Sequence, residues 1–178
     1  MRVLLAITGA SGLQYAGRMV SVLRGIREAE TKVVISSGAR KVAAMEGFAL
    51  PEADYAEDDL SCPFASGSSA ADAMVVIPCS MRSLGEIASG SGSGLIPRAA
   101  EVALKERKKL ILVVRETPYS LIGIRNMETV TLAGAVVLPA SPGFYGRPQS
   151  VDDLIDFVAA RVLDQLGLEH SLGKRWEG

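Results

Sequence analysis

The sequence predicts a doubly wound α/β fold built on a mainly parallel sheet, and two observations carry that reading. Five short runs of Val, Ile and Leu are nearly continuous rather than alternating, the mark of strands buried on both faces, as in a parallel sheet. Helical patterns lie between them, and regular alternation of strand and helix yields doubly wound α/β layers. A third observation points to function. Each apolar run ends in small or polar residues, and open α/β sheets bind their ligands beyond the carboxyl ends of the strands.

The predicted strands are Val3–Ile7, Val33–Ile35, Met74–Ile77, Leu110–Val114 and Val136–Leu138. Between them, Leu13–Glu30 places Val20, Leu23 and Ile26 on one helical face, and Ala99–Arg107 and Leu121–Leu132 also read as helix. Val151–Leu168 is the last helix. Ser150 stands as its N-cap, Asp152 and Asp153 fall in its first turn, and Leu154, Phe157, Val158, Val162 and Leu166 form one stripe. Residues 51–70 read as a loop with little regular structure. A polar tail over about 168–178 carries the single Trp.

At 178 residues one domain, 1–178, is the default, and it is long enough to bury a sizeable core. Apolar residues make up 48% and charged residues 22%, an ordinary globular balance. A net charge of −1 argues against a nucleic-acid or membrane-surface binder. No apolar stretch reaches the about 18 residues of a membrane span. Cys62 and Cys79 fit no metal or redox spacing, so the expected state is reduced thiols in a cytoplasmic protein.

The strand ends read Thr8-Gly9-Ala10-Ser11-Gly12, Ser36-Ser37-Gly38, Pro78-Cys79-Ser80-Met81-Arg82-Ser83, Arg115-Glu116-Thr117-Pro118 and Ala140-Ser141-Pro142-Gly143. Small hydroxyl residues and glycines there bring backbone N–H groups and helix N-termini up to an anion. The plainer reading is that each serine only caps a helix. The first turn lacks GxGxxG spacing, and the second strand ends without an acid for a ribose hydroxyl, which disfavours NAD. No Walker lysine motif occurs. Serines and an arginine fit a single monophosphate such as that of FMN.

His170, the sole histidine, lies in the polar tail and reads as a surface residue, which argues against a Ser–His–Asp triad or a histidine metal site. Glu116 is then the leading acid–base candidate, to be tuned by Arg115 and by burial, with a structural Arg115 ion pair as the alternative. Asp152-Asp153-Leu154-Ile155-Asp156 matches the DDxxD string of magnesium-dependent isoprenyl diphosphate enzymes. It occurs once, at a helix start, where the macrodipole accounts for it. Lys105 falls in a charged run that by pattern alone reads as a solvated face.

Taken in order, Gly9-Ala10-Ser11-Gly12, Pro78-Cys79-Ser80, Arg98-Ala99-Ala100-Glu101-Val102 with Leu104-Lys105-Glu106-Arg107, Arg115-Glu116-Thr117-Pro118, Phe144-Tyr145 before Arg147-Pro148-Gln149-Ser150, and Arg175-Trp176 resemble the UbiX-type flavin prenyltransferases. The likeness runs from about Val3 to Trp176, and the RETP and FYxRPQS elements are its specific part. It implies a Rossmann-like (flavodoxin-like) three-layer fold and a homo-oligomer, typically a dodecamer, with sites at subunit interfaces. It also implies metal-free joining of reduced FMN to dimethylallyl phosphate, or in some members the diphosphate. The product, prenylated FMN, serves UbiD-type decarboxylases.

By the same resemblance Gly9, Ala10, Ser11, Ser36, Ser80, Met81, Arg82, Ser83 and Arg115 bind FMN. Glu46, Arg98, Lys105, Tyr145 and Arg161 surround the prenyl phosphate. Glu116 assists proton transfer with Ser11 near the reacting flavin, and Trp176 lies in a tail that can close over the site. An FMN-dependent cysteine decarboxylase would need a histidine after the first glycine turn, and none is present. A non-catalytic FMN-binding protein would need no second phosphate site.

Overall fold

The computed structural model describes residues 1–173. Its strands are β1 (Arg2–Ile7), β2 (Glu30–Ile35), β3 (Ala73–Cys79), β4 (Lys109–Val114) and β5 (Val136–Val137), and its helices are α1 (Leu13–Gly25), α2 (Ser37–Glu46), α3 (Met81–Ser89), α4 (Leu95–Lys105), α5 (Leu121–Leu132) and α6 (Val151–Leu166). The sheet order is β2-β1-β3-β4-β5, and every pairing is parallel. The strand order reverses at the β1–β3 pair, where a crevice opens at the carboxyl edge.

Alternate strand residues feed two cores. Val3, Leu5, Ile7, Val75 and Val113 face α1 and α6, with Ala39 and Ala43 of α2 joining them. Leu4, Ala6, Met74, Val76 and Leu112 face α3, α4 and Val130 of α5. Burial on both faces explains why these runs are continuous in Val, Ile and Leu rather than alternating.

The differences from expectation have local causes. Helix α1 stops at Gly25, and Ile26 turns extended at φ −91° and ψ 116°. Ile26 still packs against the first core, so its apolar character extended the helical pattern falsely. Helix α4 begins at Leu95, earlier than predicted, because Pro97 sits in the first turn, where an amide hydrogen has no helical acceptor. Helices α2 and α3 were missed. Each buries only two side chains, Ala39 with Ala43 and Leu84 with Ile87, too few to make an apolar stripe.

Residues 51–70 hold two short 3-10 turns, Pro63–Ala65 and Gly67–Ser69. The segment is nonetheless pinned. Asp54 accepts from the Val33 N–H at 2.8 Å, and Tyr55 meets Phe64 edge-on at 5.8 Å over the second core. The tail also departs from expectation, since Leu168 and Leu172 pack against the first core. Trp176 lies outside the described residues. No helix among the described residues is long and apolar enough to cross a membrane.

Candidate functional site

The loops after β1, β2, β3 and β4 converge on a cavity of about 810 Å³ at the carboxyl edge, within the roughly 300–1,000 Å³ typical of cofactor sites. Its floor is tied together by Thr8, which is fully buried. The Thr8 Oγ1 donates to the Pro78 carbonyl at 2.8 Å and accepts the Ser80 N–H at 2.8 Å. One hydroxyl thus locks the end of β1 to the start of α3 across the switch point. Sequence reading quoted Thr8 in its loop but gave it no role. A Thr closing an apolar strand directly before a glycine turn was the available signal.

Gly9 stands against Gly38. A Cβ on Gly9 would lie 2.7 Å from the Gly38 carbonyl carbon, so the two loops touch backbone to backbone. This leaves a cradle without side chains where the first two loops meet. The Ser36 hydroxyl accepts the Ala39 N–H at 3.0 Å, and the Ser80 Oγ accepts the Ser83 N–H at 3.2 Å. Within the chain both serines therefore act as N-caps, the plainer of the two readings. Capping also shapes the anion seat. The first N–H of α2, from Ser37, is taken by the Glu57 carboxylate at 2.6 Å. The N–H groups of Met81 and Arg82, first in α3, have no helical acceptor and line the cavity. The α3 N-terminus therefore presents more open N–H groups to a phosphate than that of α2, where Glu57 holds the first.

Seven predicted residues line this cavity: Gly9, Ser36, Ser80, Met81, Arg82, Ser83 and Glu116. Glu57, Asp58 and Glu86 line it too and were not foreseen. Glu86 accepts from Arg82 Nε at 3.0 Å, and Arg82 is largely exposed. Glu116 is exposed, and its Oε1 accepts the Thr117 N–H at 3.0 Å. Among the described residues it makes no ion pair with Arg115, so the structural ion pair is not formed within one chain. Ala10 is buried and Ser11 partly buried in the β1–α1 turn. Arg115 follows β4, with its N–H donating to the Cys79 carbonyl at 3.3 Å. Burial raises the Tyr15 hydroxyl above its ordinary range, and the nearby Arg115 charge works against that rise.

The residues expected around a second phosphate are not together in one chain. Arg98 donates to the Ala65 carbonyl at 3.1 Å and pairs with Glu101 at 2.9 Å, and Lys105 pairs with Glu106. Both belong to α4, on the face of the second core. Arg161 and Tyr145 belong to the opposite face. Tyr145 meets Phe157 edge-on at 5.7 Å, and Arg161 lines a smaller cavity of about 310 Å³ with Ser141 and Phe157. Glu46 is exposed at the last turn of α2, roughly 15 Å along the helix from the Ser36 cap. His170 is not the surface residue expected: its side chain is only 5% exposed and lies 3.1 Å from Asp164. In the DDxxD string, Asp153 closes a capping box with Ser150, and Asp156 pairs with Arg18.

The flavoprotein family profile matches residues 1–163. Among curated relatives, the flavin prenyltransferase UbiX of Thermoplasma acidophilum is 45% identical over 183 residues, covering 99% of this chain and all of that one. The UbiX of Pseudomonas aeruginosa is 45% identical, covering 98% of this chain and 93% of its own. Among solved structures, a dodecameric FMN-dependent UbiX-like decarboxylase from Escherichia coli O157:H7 superposes with a TM-score of 0.95 at 39% identity, covering both chains fully. A UbiX protein in complex with FMN and dimethylallyl pyrophosphate superposes at 0.93 with 42% identity, covering 99% of this chain and 97% of that one.

Proposed function

The chain belongs to the flavoprotein family and stands among its UbiX flavin prenyltransferases, and on that premise we propose that it transfers a dimethylallyl group to reduced FMN. The observation that carries this reading is the end-to-end match to a UbiX protein holding both FMN and dimethylallyl pyrophosphate. The product is prenylated FMN, handed to a UbiD-type decarboxylase. The donor is dimethylallyl phosphate, with the diphosphate as the second donor to test. The chain acts as one flavin-binding domain, 1–178, in the cytoplasm, a setting in keeping with two unpaired, buried thiols.

Bound reduced FMN supplies the nucleophilic N5 and C6 positions that accept the five-carbon unit. Gly9, Ala10, Ser11 and Ser36 form the cradle beside it. In the first turn of α3 behind its Ser80 cap, Met81 and Arg82 offer backbone N–H groups, Ser83 offers its hydroxyl, and the helix dipole faces its phosphate, with Arg115 as the cation. Allylic C–O cleavage puts charge on a departing phosphate, which Arg98, Lys105 and Arg161 stabilise, with Tyr145 and Glu46 completing the pocket. Glu116 receives the proton released at ring closure, either directly or through the freed phosphate.

Arg98 and Lys105 stand on the opposite sheet face from Arg161, so in this reading neighbouring subunits bring them to one phosphate. A homododecamer supplies that meeting. It also gives cover to the exposed Leu121, Ile122 and Leu132 of α5.

The test is anaerobic. Purified protein is mixed with reduced FMN and dimethylallyl phosphate, quenched, and the flavin mass read. A gain of one C5H8 unit is expected. FMN recovered unchanged with both the phosphate and the diphosphate would replace prenyl transfer with flavin binding alone.

A further inference from the structure

We infer that His170 is a positioning residue: through Asp164 it sets the direction of the Arg161 guanidinium, and it ties the segment after α6 to the same carboxylate. The Leu172 N–H donates to His170 Nδ1 at 3.2 Å. That lone pair is therefore in use, and the proton of the neutral ring sits on Nε2. Nε2 lies 3.1 Å from Asp164 Oδ1, so the ring donates to it. The other carboxylate oxygen, Oδ2, accepts from the Arg161 guanidinium at 2.6 Å.

Two donors on two different oxygens hold the Asp164 carboxylate in one plane. An arginine has many rotamers, and Arg161 is half-exposed, so a fixed acceptor three residues away restricts where its fork can point. Arg161 lines the cavity at the end of β5 together with Ser141 and Phe157. The histidine is itself fixed, because Leu168 and Leu172, on either side of it, pack against the first core. Burial of the ring leaves neither nitrogen without a partner, since Nδ1 accepts from Leu172 and Nε2 faces Asp164.

This rests on the reading that Arg161 faces the prenyl phosphate, so the experiment separates the two. The full-length, FMN-loaded protein is prepared as wild type, His170→Phe, His170→Gln and Arg161→Ala. Binding of dimethylallyl phosphate is measured by calorimetry, FMN affinity by fluorescence, and amide exchange over residues 168–172 by mass spectrometry. His170→Phe keeps a ring but loses both nitrogens. It should weaken donor binding and raise the donor KM about fivefold, the factor that a typical net hydrogen bond carries, while FMN affinity stays unchanged. His170→Gln keeps an N–H at the Nε2 position and should restore most of the binding.

Faster exchange in His170→Phe with unchanged donor binding would make the histidine a tail anchor only, overturning the inference while Arg161 keeps its role. Equal loss in the Phe and Gln variants would show that ring packing, not the donated hydrogen bond, matters. Unchanged donor binding in Arg161→Ala would remove Arg161 from the phosphate site and this inference with it.

Discussion

Replacing Thr8 with valine keeps the shape of a fully buried side chain and deletes only its hydroxyl. That hydroxyl makes two bonds of 2.8 Å, to the Pro78 carbonyl and from the Ser80 N–H. Pro78 keeps a second donor, the Thr8 N–H at 3.3 Å, so its loss is the net value of one bond, about 1 kcal/mol. The Ser80 N–H loses its acceptor. Because Ser80 is partly exposed, water recovers part of that loss, and the stranded group costs about 1–2 kcal/mol. The sum is about 2–3 kcal/mol. A chain of this size loses roughly 2–4 °C per kcal/mol, so the melting temperature should fall by about 4–12 °C. Ser80 caps α3, so FMN affinity should fall with it. The assay is thermal unfolding at one fixed protein concentration, since an oligomer's Tm depends on concentration, alongside a flavin-fluorescence titration. Thr8→Ser keeps both bonds and loses one methyl, so it should cost about 1 kcal/mol. Valine and serine variants with the same Tm and the same FMN affinity would refute the role given to this hydroxyl.

Three further outcomes are expected. Gly9→Ala places a Cβ 2.7 Å from the Gly38 carbonyl carbon, so the two loops must part, and FMN affinity should drop by at least tenfold, about 1.4 kcal/mol; an alanine variant with unchanged affinity would show that the loops separate freely. Glu116→Gln should bind FMN as the wild type does but lose prenyl transfer by about 10²-fold or more in a single-turnover mass assay, and undiminished turnover would remove Glu116 from the proton path. Burial pushes the Cys79 thiol up to about 12, so it should resist iodoacetamide at pH 8 in the native protein and react once unfolded, as peptide mapping can read. The unfolded thiol ionises near about 8.5, below the folded value. Cys79 is therefore silent on stability below that pH and draws the equilibrium toward the unfolded chain as pH rises from there toward 12. Rapid native labelling would refute its burial.

Strands were the most legible part of the sequence, because double burial leaves continuous apolar runs and all five predicted runs fall in or against observed strands. Helix α5 was legible to the residue, with Ser120 capping it by accepting the Gly123 N–H. Helices α2 and α3 were not, because a helix that buries two small or scattered side chains has no stripe to find. Their serine caps were visible, and capping was the plainer reading of them, but no helix was drawn behind either one. The glycine and serine loops fall at one edge, as their place at the carboxyl ends of parallel strands led us to expect. What no pattern could show was side-chain geometry: the Glu57 carboxylate on α2 and the burial of His170 in a tail of polar composition. Each depends on where a loop or tail folds back, which composition and periodicity do not encode. The α4 and α6 cations make the same point in reverse, since residues that suit one phosphate stand on two faces of the sheet.

The hydroxyl knot at the switch point also dictates an order of events. Thr8 and Pro78 are 70 residues apart, so the β1–β3 pair forms only by closing a long loop, the kind of contact that slows folding and tends to form late. The cradle between Gly9 and Gly38, and the α3 turn behind it, are defined only once that loop is closed. A nascent chain that has emitted β1, α1 and β2 holds half of the flavin loops but no seat for a phosphate. Flavin loading is therefore a late step, an event of the closed chain, and it rewards completion of folding rather than guiding its start.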